Sequence, residues 1–399
     1  MPVQTADPMK TRSGERPPKA PVELVQVTTG AELDAFVRFQ LDLYRDDPRF
    51  VPPIVAERRE FLRPEHNPFF AHATAAYFMA RRDGAWVGRI AAVDDTAYNQ
   101  FHNAQVGFFG MFESIDDPEV AGALLRRAGA WVSERGMRSM LGPVNLSTNH
   151  DCGLLVEGFD TPPSMMQPYN PPHYAALLEV AGLKRFRDLY MYALSTALPP
   201  PEPVVRAADR LREKAGVKVR PFDLRRLPEE LQRIKAIQAE AALHERNWAF
   251  VPLNEEEVDF LAARLRHLAT LSPGLCLFAE VNEEPVAFSL TLPDGNAAVK
   301  AAGGSLTTWG LPIGALKMAW AARRVDSVRV LLLGVADAWK RRGLESLLYL
   351  ETLKVAREQG YAGGELGWVA EDNGPLNRAL VSMGARRHKT YRIYEQRLG

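Results

Sequence analysis

The chain has 399 residues, with 49 Lys and Arg balanced by 49 Asp and Glu, so its formal net charge is zero. At about 150 residues per domain this length implies two or three domains, and the 46% apolar and 25% charged content excludes disorder over most of it. Neutrality excludes a partner held by bulk electrostatics, such as duplex DNA, but leaves room for a local basic patch.

Residues 1–20 are polar and Pro-rich without an apolar core, which reads as a disordered tail and not as a signal peptide. After N-terminal helices, Tyr77–Asp95 alternates on both sides of an Asp-Gly turn and predicts a hairpin. A third strand follows over Gln105–Glu113, then a helix over Pro118–Gly136, a strand over Arg138–Leu146, a short helix after Pro171 and closing strands to Tyr192. The Pro-rich join Ala197–Val204 separates this half from a second of the same order. There the hairpin is Leu275–Asp294, the third strand Val328–Val335, the helix Gly343–Gly360, the next strand Gly363–Val369, and the short helix Gly374–Gly384.

The closing segments confirm the repeat. Ala181–Tyr192 aligns without gaps to Met383–Tyr394, with Gly182/Gly384, Arg185/Arg387 and Tyr192/Tyr394 identical. The pattern predicts an α/β (α+β) protein of two mixed-sheet domains, residues 21–196 and 205–399. Two cysteines, Cys152 and Cys276, supply neither a metal cluster nor a disulfide framework and suit a reducing, cytoplasmic setting. No apolar run approaches the roughly 18 residues that span a bilayer.

The stretch richest in chemistry starts at Leu331. A buried strand ends at Val335, the loop ADAWKRRG follows, and an amphipathic helix opens at Gly343 or Leu344. A helix start presents unpaired N–H groups and the positive dipole end, so Lys340, Arg341, Arg342 and Gly343 before it suit a diphosphate. A basic turn capping a surface helix is an equal reading of the same residues. The corresponding FESIDDPEV of the first half carries Glu113, Asp116, Asp117 and Glu119, which would repel a diphosphate.

KRRGLE between strand and helix resembles the acyl-coenzyme A pyrophosphate loop of the GNAT acyltransferase superfamily, and the strand–Asn–short helix ending over Gly363–Glu395 is similar to that superfamily's. The strings DDPRFVPP, NPFFAHA, VGFFGMFE, GPVNLSTNHDCGLLVEGFDTPP, MMQPYNPPHY, NWAFVP and KTYRIYE resemble its bacterial ceramide synthase-like branch, from Leu24 to Leu398. The resemblance implies a tandem GNAT protein that transfers a fatty acyl group from acyl-CoA to the amine of a sphingoid-type base, with no metal. It implies that N–H groups near Leu333 and Val335 polarise the thioester carbonyl, that Lys340 to Leu344 take the pyrophosphate, and that Asn373 or Asn377 meets the pantetheine arm. Lys340 stands for the usual Arg or Gln, Glu345 for a small residue, and Leu380 for the tyrosine that protonates the thiolate.

Two places could supply a base. Glu371 follows the fourth strand of the second half and serves equally as a helix cap. His150 lies in the polar loop LSTNHDCG, where Asn145, Ser147 and Asn149, with Tyr169 further on, are candidate acceptor-binding residues. Tyr98, His102, Glu113, Asn170, His173 and Tyr174 are weaker candidates. The insert Asn296–Asp326 carries Trp309, Trp320 and terminal Arg323 and Arg324, which suits a peripheral membrane contact or an acyl-chain channel, and equally a helix on the core. The same residues also fit an acetyltransferase of small or protein amines, or a non-catalytic acyl-CoA binder.

Overall fold

The computed structural model describes residues 19–244 and 248–399, so the expected tail lies outside the described residues apart from Lys19 and Ala20. The first half runs β1 (Glu23–Gln26), α1 (Gly30–Leu43), α2 (Val55–Phe61), β2 (Ala73–Arg82), β3 (Ala85–Asp95), α3 (Thr96–His102), β4 (Val106–Ser114), α4 (Pro118–Ser133), β5 (Ser139–Gly142), β6 (Leu154–Glu157), α5 (Tyr174–Val180) and β7 (Lys184–Ser195). The second runs α6 (Glu202–Ala215), β8 (Lys218–Pro221), α7 (Leu227–His244), α8 (Glu255–Leu271), β9 (Leu277–Val281), β10 (Glu284–Pro293), α9 (Asn296–Ala302), α10 (Ile313–Ala322), β11 (Ser327–Val335), α11 (Leu344–Glu358), β12 (Gly363–Ala370), α12 (Gly374–Ser382) and β13 (Arg386–Arg397).

Local chemistry explains the boundaries. Both hairpins turn through two residues of positive φ, Asp83–Gly84 and Asn282–Glu283, the geometry that matches strand twist. Thr29 and Glu32 form a capping box at α1, and Asn254 and Glu257 form one at α8. The strand expected over Arg138–Leu146 ends at Gly142, because Pro143 has no N–H to continue the ladder. The apolar positions of α4, Val120, Leu124, Leu125, Ala128, Trp131 and Val132, recur at helical spacing and pack on Phe78 and Ile90 of the sheet. Each large side chain buried there contributes about 1.5–3 kcal/mol.

Among the described residues thirteen strands join one mixed sheet in the order β1-β2-β3-β4-β5-β13-β7-β12-β11-β10-β9-β8, with β6 also on β13, and of their pairings only β4/β5 and β11/β12 are parallel. The order reads alike from either end, and at its centre the closing strands change places. β13 lies between β5 and β7, and β7 lies between β13 and β12. The crossing strands are the two segments that align with each other in the sequence.

Candidate active site

The two parallel pairs diverge early. β11 pairs with β12 only over Ser327–Val330 against Gly363–Leu366, so Leu333 and Val335 lie beyond the last shared rung, held by Ser289 and Ala287 of β10. The loop after β11 has Arg341 at φ 61 and Gly343 at φ 92, a region that L side chains other than Asn and Asp rarely adopt. Gly343 is the N-cap of α11, and no side chain caps that helix. Lys340 stands 3.2 Å from Asp337, Arg342 lies over Trp339 with 4.7 Å to the ring centroid, and Arg341 and Arg342 are exposed. Leu344 is fully buried, so only its backbone N–H can serve a ligand.

The matching helix of the first half is different. At α4, Asp117 accepts the Glu119 N–H at 2.9 Å and is itself paired with Lys19 and Arg82. A carboxylate therefore occupies the anion position at α4, whereas three cations and the cap glycine precede α11, whose first-turn acid is Glu345. That start fits a diphosphate.

The other second-half residues are tied into the neighbouring turn. Asn373 caps α12 by accepting the Leu376 N–H at 3.2 Å. The Asn377 amide donates to Ala370 O (3.0 Å) and Asn373 O (2.9 Å), and its oxygen accepts the Tyr192 hydroxyl at 2.8 Å. Glu371 is paired with Arg185 and accepts the Asp188 N–H at 3.2 Å, so Asn373, and not Glu371, caps the helix.

A cavity of about 990 Å³ opens elsewhere, between the first half and the second-half helices α8 to α10. Phe50, Ile54, Phe61, Leu154, Phe260 and Met318 give it apolar walls, and Asn145, His150 and Tyr169 line it. Asn145 accepts the Met111 N–H at 2.7 Å, where β4 bulges with Met111 at φ 48. The Tyr169 hydroxyl donates to Asp47. His150 is buried against the edges of Phe61 and Phe69, and its Nδ1 has no hydrogen-bond partner among the described residues. Burial, reinforced by Arg58 and Arg264, pushes its pKa down to about 3, so the imidazole is neutral at physiological pH. Ser147 and Asn149 stay out of the cavity. Ser147 accepts the Asn149 N–H at 3.2 Å, and Asn149 donates to Val251 O at 3.1 Å, which fixes the turn carrying His150. None of Lys340–Leu344, Glu371, Asn373 or Asn377 lines the cavity, so the expected residues form two separate groups.

A buried polar cluster on the cavity centres on Glu113, which the sequence placed both at the end of the third strand and in the acidic FESIDDPEV. Glu113 belongs to β4, directly opposite Arg89 of β3, and both are buried with 3.5 Å between them. Gln40 donates to Glu113 at 2.7 Å, Tyr174 at 2.9 Å, and Tyr44 also donates to it. Burial pushes the Glu113 carboxyl up, opposed by Arg89 and the two hydroxyls. The available signal was a lone cation in the apolar run Val87–Val93 of β3 and a lone acid in β4. Glu113→Ala would take the facing carboxylate from buried Arg89, which keeps its bond to Phe36 O, and an acceptor from Gln40, Tyr44 and Tyr174, so a loss of about 3–5 kcal/mol in unfolding free energy is expected, measurable by denaturant titration.

No protein-family model matches the chain. It is 34% identical to protein YghO of Escherichia coli over 92% of this chain and 93% of that one. It is 33% identical to a bacterial ceramide synthase of Caulobacter vibrioides over 95% and 98%. Among solved structures it resembles a tandem GNAT protein from the clavulanic acid biosynthesis pathway (TM-score 0.55, 13% identical, 95% of this chain and 99% of that one). It also resembles a GCN5-related N-acetyltransferase from Sphaerobacter thermophilus (TM-score 0.52, 13% identical, 94% and 96%). The exchanged mixed sheet is thus a tandem GNAT fold. Within that class the chain belongs to the bacterial ceramide synthase-like family of acyltransferases.

Proposed function

We propose that the chain is an acyl-coenzyme A-dependent N-acyltransferase that places a long acyl chain on the amine of a sphingoid-base-like lipid. The observation that carries this reading is the cavity of about 990 Å³ with apolar walls and a polar end at Asn145, His150, Glu113 and Arg89. It lies at the upper end of the volumes that enclose small ligands, far more than an acetyl group and a small amine fill. The Caulobacter relative's name supports the same substrate class.

In this reading Lys340, Arg341, Arg342 and the N–H groups of Gly343 and Leu344 hold the diphosphate. The N–H groups of Leu333 and Val335 polarise the thioester carbonyl. Asn373 and Asn377 brace the turn beside the pantetheine arm, and Glu371 holds its position through Arg185. The neutral amine attacks the thioester carbon, the C–N bond forms, the C–S bond breaks, and the amine proton passes to the departing thiolate, while the neutral His150 imidazole accepts a hydrogen bond from the amine and aligns it. Asn145 and Tyr169 shape the acceptor end, and Ser147 and Asn149 position the His150 turn. The protein works in the cytoplasm, peripherally at the inner membrane face; no helix among the described residues is long and apolar enough to cross a membrane.

Leu380, fully buried where the resemblance places a tyrosine acid, favours a second reading in which acyl-CoA is bound and not used. Thiol release across acyl lengths, with sphinganine and short amines as acceptors, decides. Hexadecanoyl-CoA with sphinganine is expected to exceed acetyl-CoA by at least on the order of 100-fold in kcat/KM, since each buried methylene is worth about 0.8 kcal/mol. Equal rates with acetyl-CoA and a short amine would replace the lipid reading with small-amine acetylation, and no thiol release would leave a binding protein.

A further inference from the structure

Helix α10 and the turn before it present two unlike faces. Met318, Ala319, Ala322 and Arg323 line the cavity. On the adjoining outer side Leu316 and Trp320, one helical turn apart, are exposed together with Leu311 and Trp309. Trp309 is 93% exposed and sits at φ 51 at the tip of a two-residue turn, where Thr308 and Leu311 exchange hydrogen bonds of 2.8 and 3.0 Å. A bulky residue in the left-handed region is disfavoured, and exposing an indole buries none of its apolar area in this chain. The fold therefore holds that ring outward at a cost.

The charge of the segment is one-sided. From Asn296 to Val325 it contains Lys300, Lys317, Arg323 and Arg324 and no acidic residue. Arg324 lies over Trp320 at 3.7 Å to the ring centroid, beside the exposed Lys317. The segment is also a cover. It leaves the second half, and the Gly304 carbonyl accepts the Val55 N–H of the first half at 2.9 Å, while Lys300 donates to Pro48 O. The pair α9–α10 thus bridges the halves over one side of the cavity.

We infer that α10 and the Trp309 turn dock on an anionic lipid surface and form the entrance by which a membrane-borne acceptor passes into the cavity. Apolar side chains flanked by cations are the composition that seats in the headgroup layer of anionic lipid, and the other face of the same helix already lines the space a lipid chain would occupy. This rests on the lipid-acceptor reading above. It adds a location, a lipid charge and a route.

The test uses the full chain and its double variant Trp309→Ser/Trp320→Ser, both positions exposed and neither on the cavity, with thermal melting to verify folding. Sedimentation with phosphatidylcholine vesicles containing phosphatidylglycerol is expected to bring down the wild type, less so with pure phosphatidylcholine or at high salt. The variant is expected to lose at least tenfold in partitioning and at least tenfold in turnover of vesicle-borne sphinganine, while turnover of sphinganine in detergent micelles stays unchanged. Lys317→Glu is expected to weaken only the phosphatidylglycerol-dependent part. Equal partitioning of wild type and double variant, or wild-type turnover of vesicle-borne acceptor by the variant, overturns the inference. Absence of transfer in micelles by the wild type overturns the catalytic reading instead, and the vesicle result still decides the docking.

Discussion

Gly343→Leu is expected to lower acyl-CoA affinity by about 100-fold or more in isothermal calorimetry, with the fold retained. Gly343 adopts φ 92 and its position faces open space apart from the Leu211 side chain, 3.7 Å from a built Cβ. A leucine there is strained and stands between a diphosphate and the first N–H groups of α11. Hydrogen bonds to a charged group are worth about 1.5–3 kcal/mol each, so losing two of them accounts for the stated loss. Gly343→Ala, strained but small, is expected to fall between wild type and leucine. Unchanged binding by the leucine variant would remove the loop from any role in holding the acyl donor.

His150→Ala is expected to lower kcat about tenfold, the effect of one lost hydrogen bond that aligns the amine, with little change in acyl-CoA affinity because His150 lies outside the loop group. With its pKa at about 3, the His150 imidazole stays neutral through the usual assay range, so the kcat profile is expected to show no histidine inflection near pH 6.5. Between pH 6.5 and 3 the unfolded chain takes up a proton that the folded His150 refuses, so the folded state loses stability on acidification across that window. His150→Ala is expected to reduce that loss, read from unfolding free energies at several pH values. A kcat within twofold of wild type would sink the catalytic role and leave a packing histidine.

Much of this structure was legible in the sequence, because hairpins and amphipathic helices are local. Tyr77–Asp95 and Leu275–Asp294 carry their own alternation and turn residues, and α4 and α11 carry their own apolar stripe. The basic loop before α11 could be read for the same reason. Strand partners are not local. Ala181–Tyr192 and Met383–Tyr394 are so alike that nothing in either says which half it completes, so the exchange of β7 and β13 could not be foreseen. The cavity was hidden likewise, since Phe61, His150, Phe260 and Met318 come from four distant segments. Glu113 closes the strand expected over Gln105–Glu113 and also opens the acidic FESIDDPEV, and nothing local says that its carboxyl turns inward; β4 runs to Ser114 and buries it opposite Arg89.

The exchanged closing strands tie the order of synthesis to the completeness of the fold. Residues 386–397 supply the rung beside β5, and Tyr391 of that strand packs against Gly153 and donates its hydroxyl to Gln167 at 3.0 Å, both on the cavity wall. The cavity built mainly by the first half therefore cannot be finished until residues 386–397 have left the ribosome, and until then β5 offers an open edge. A translational stop before Tyr391 would damage the acceptor chamber while leaving the residues of the basic loop before α11 in place.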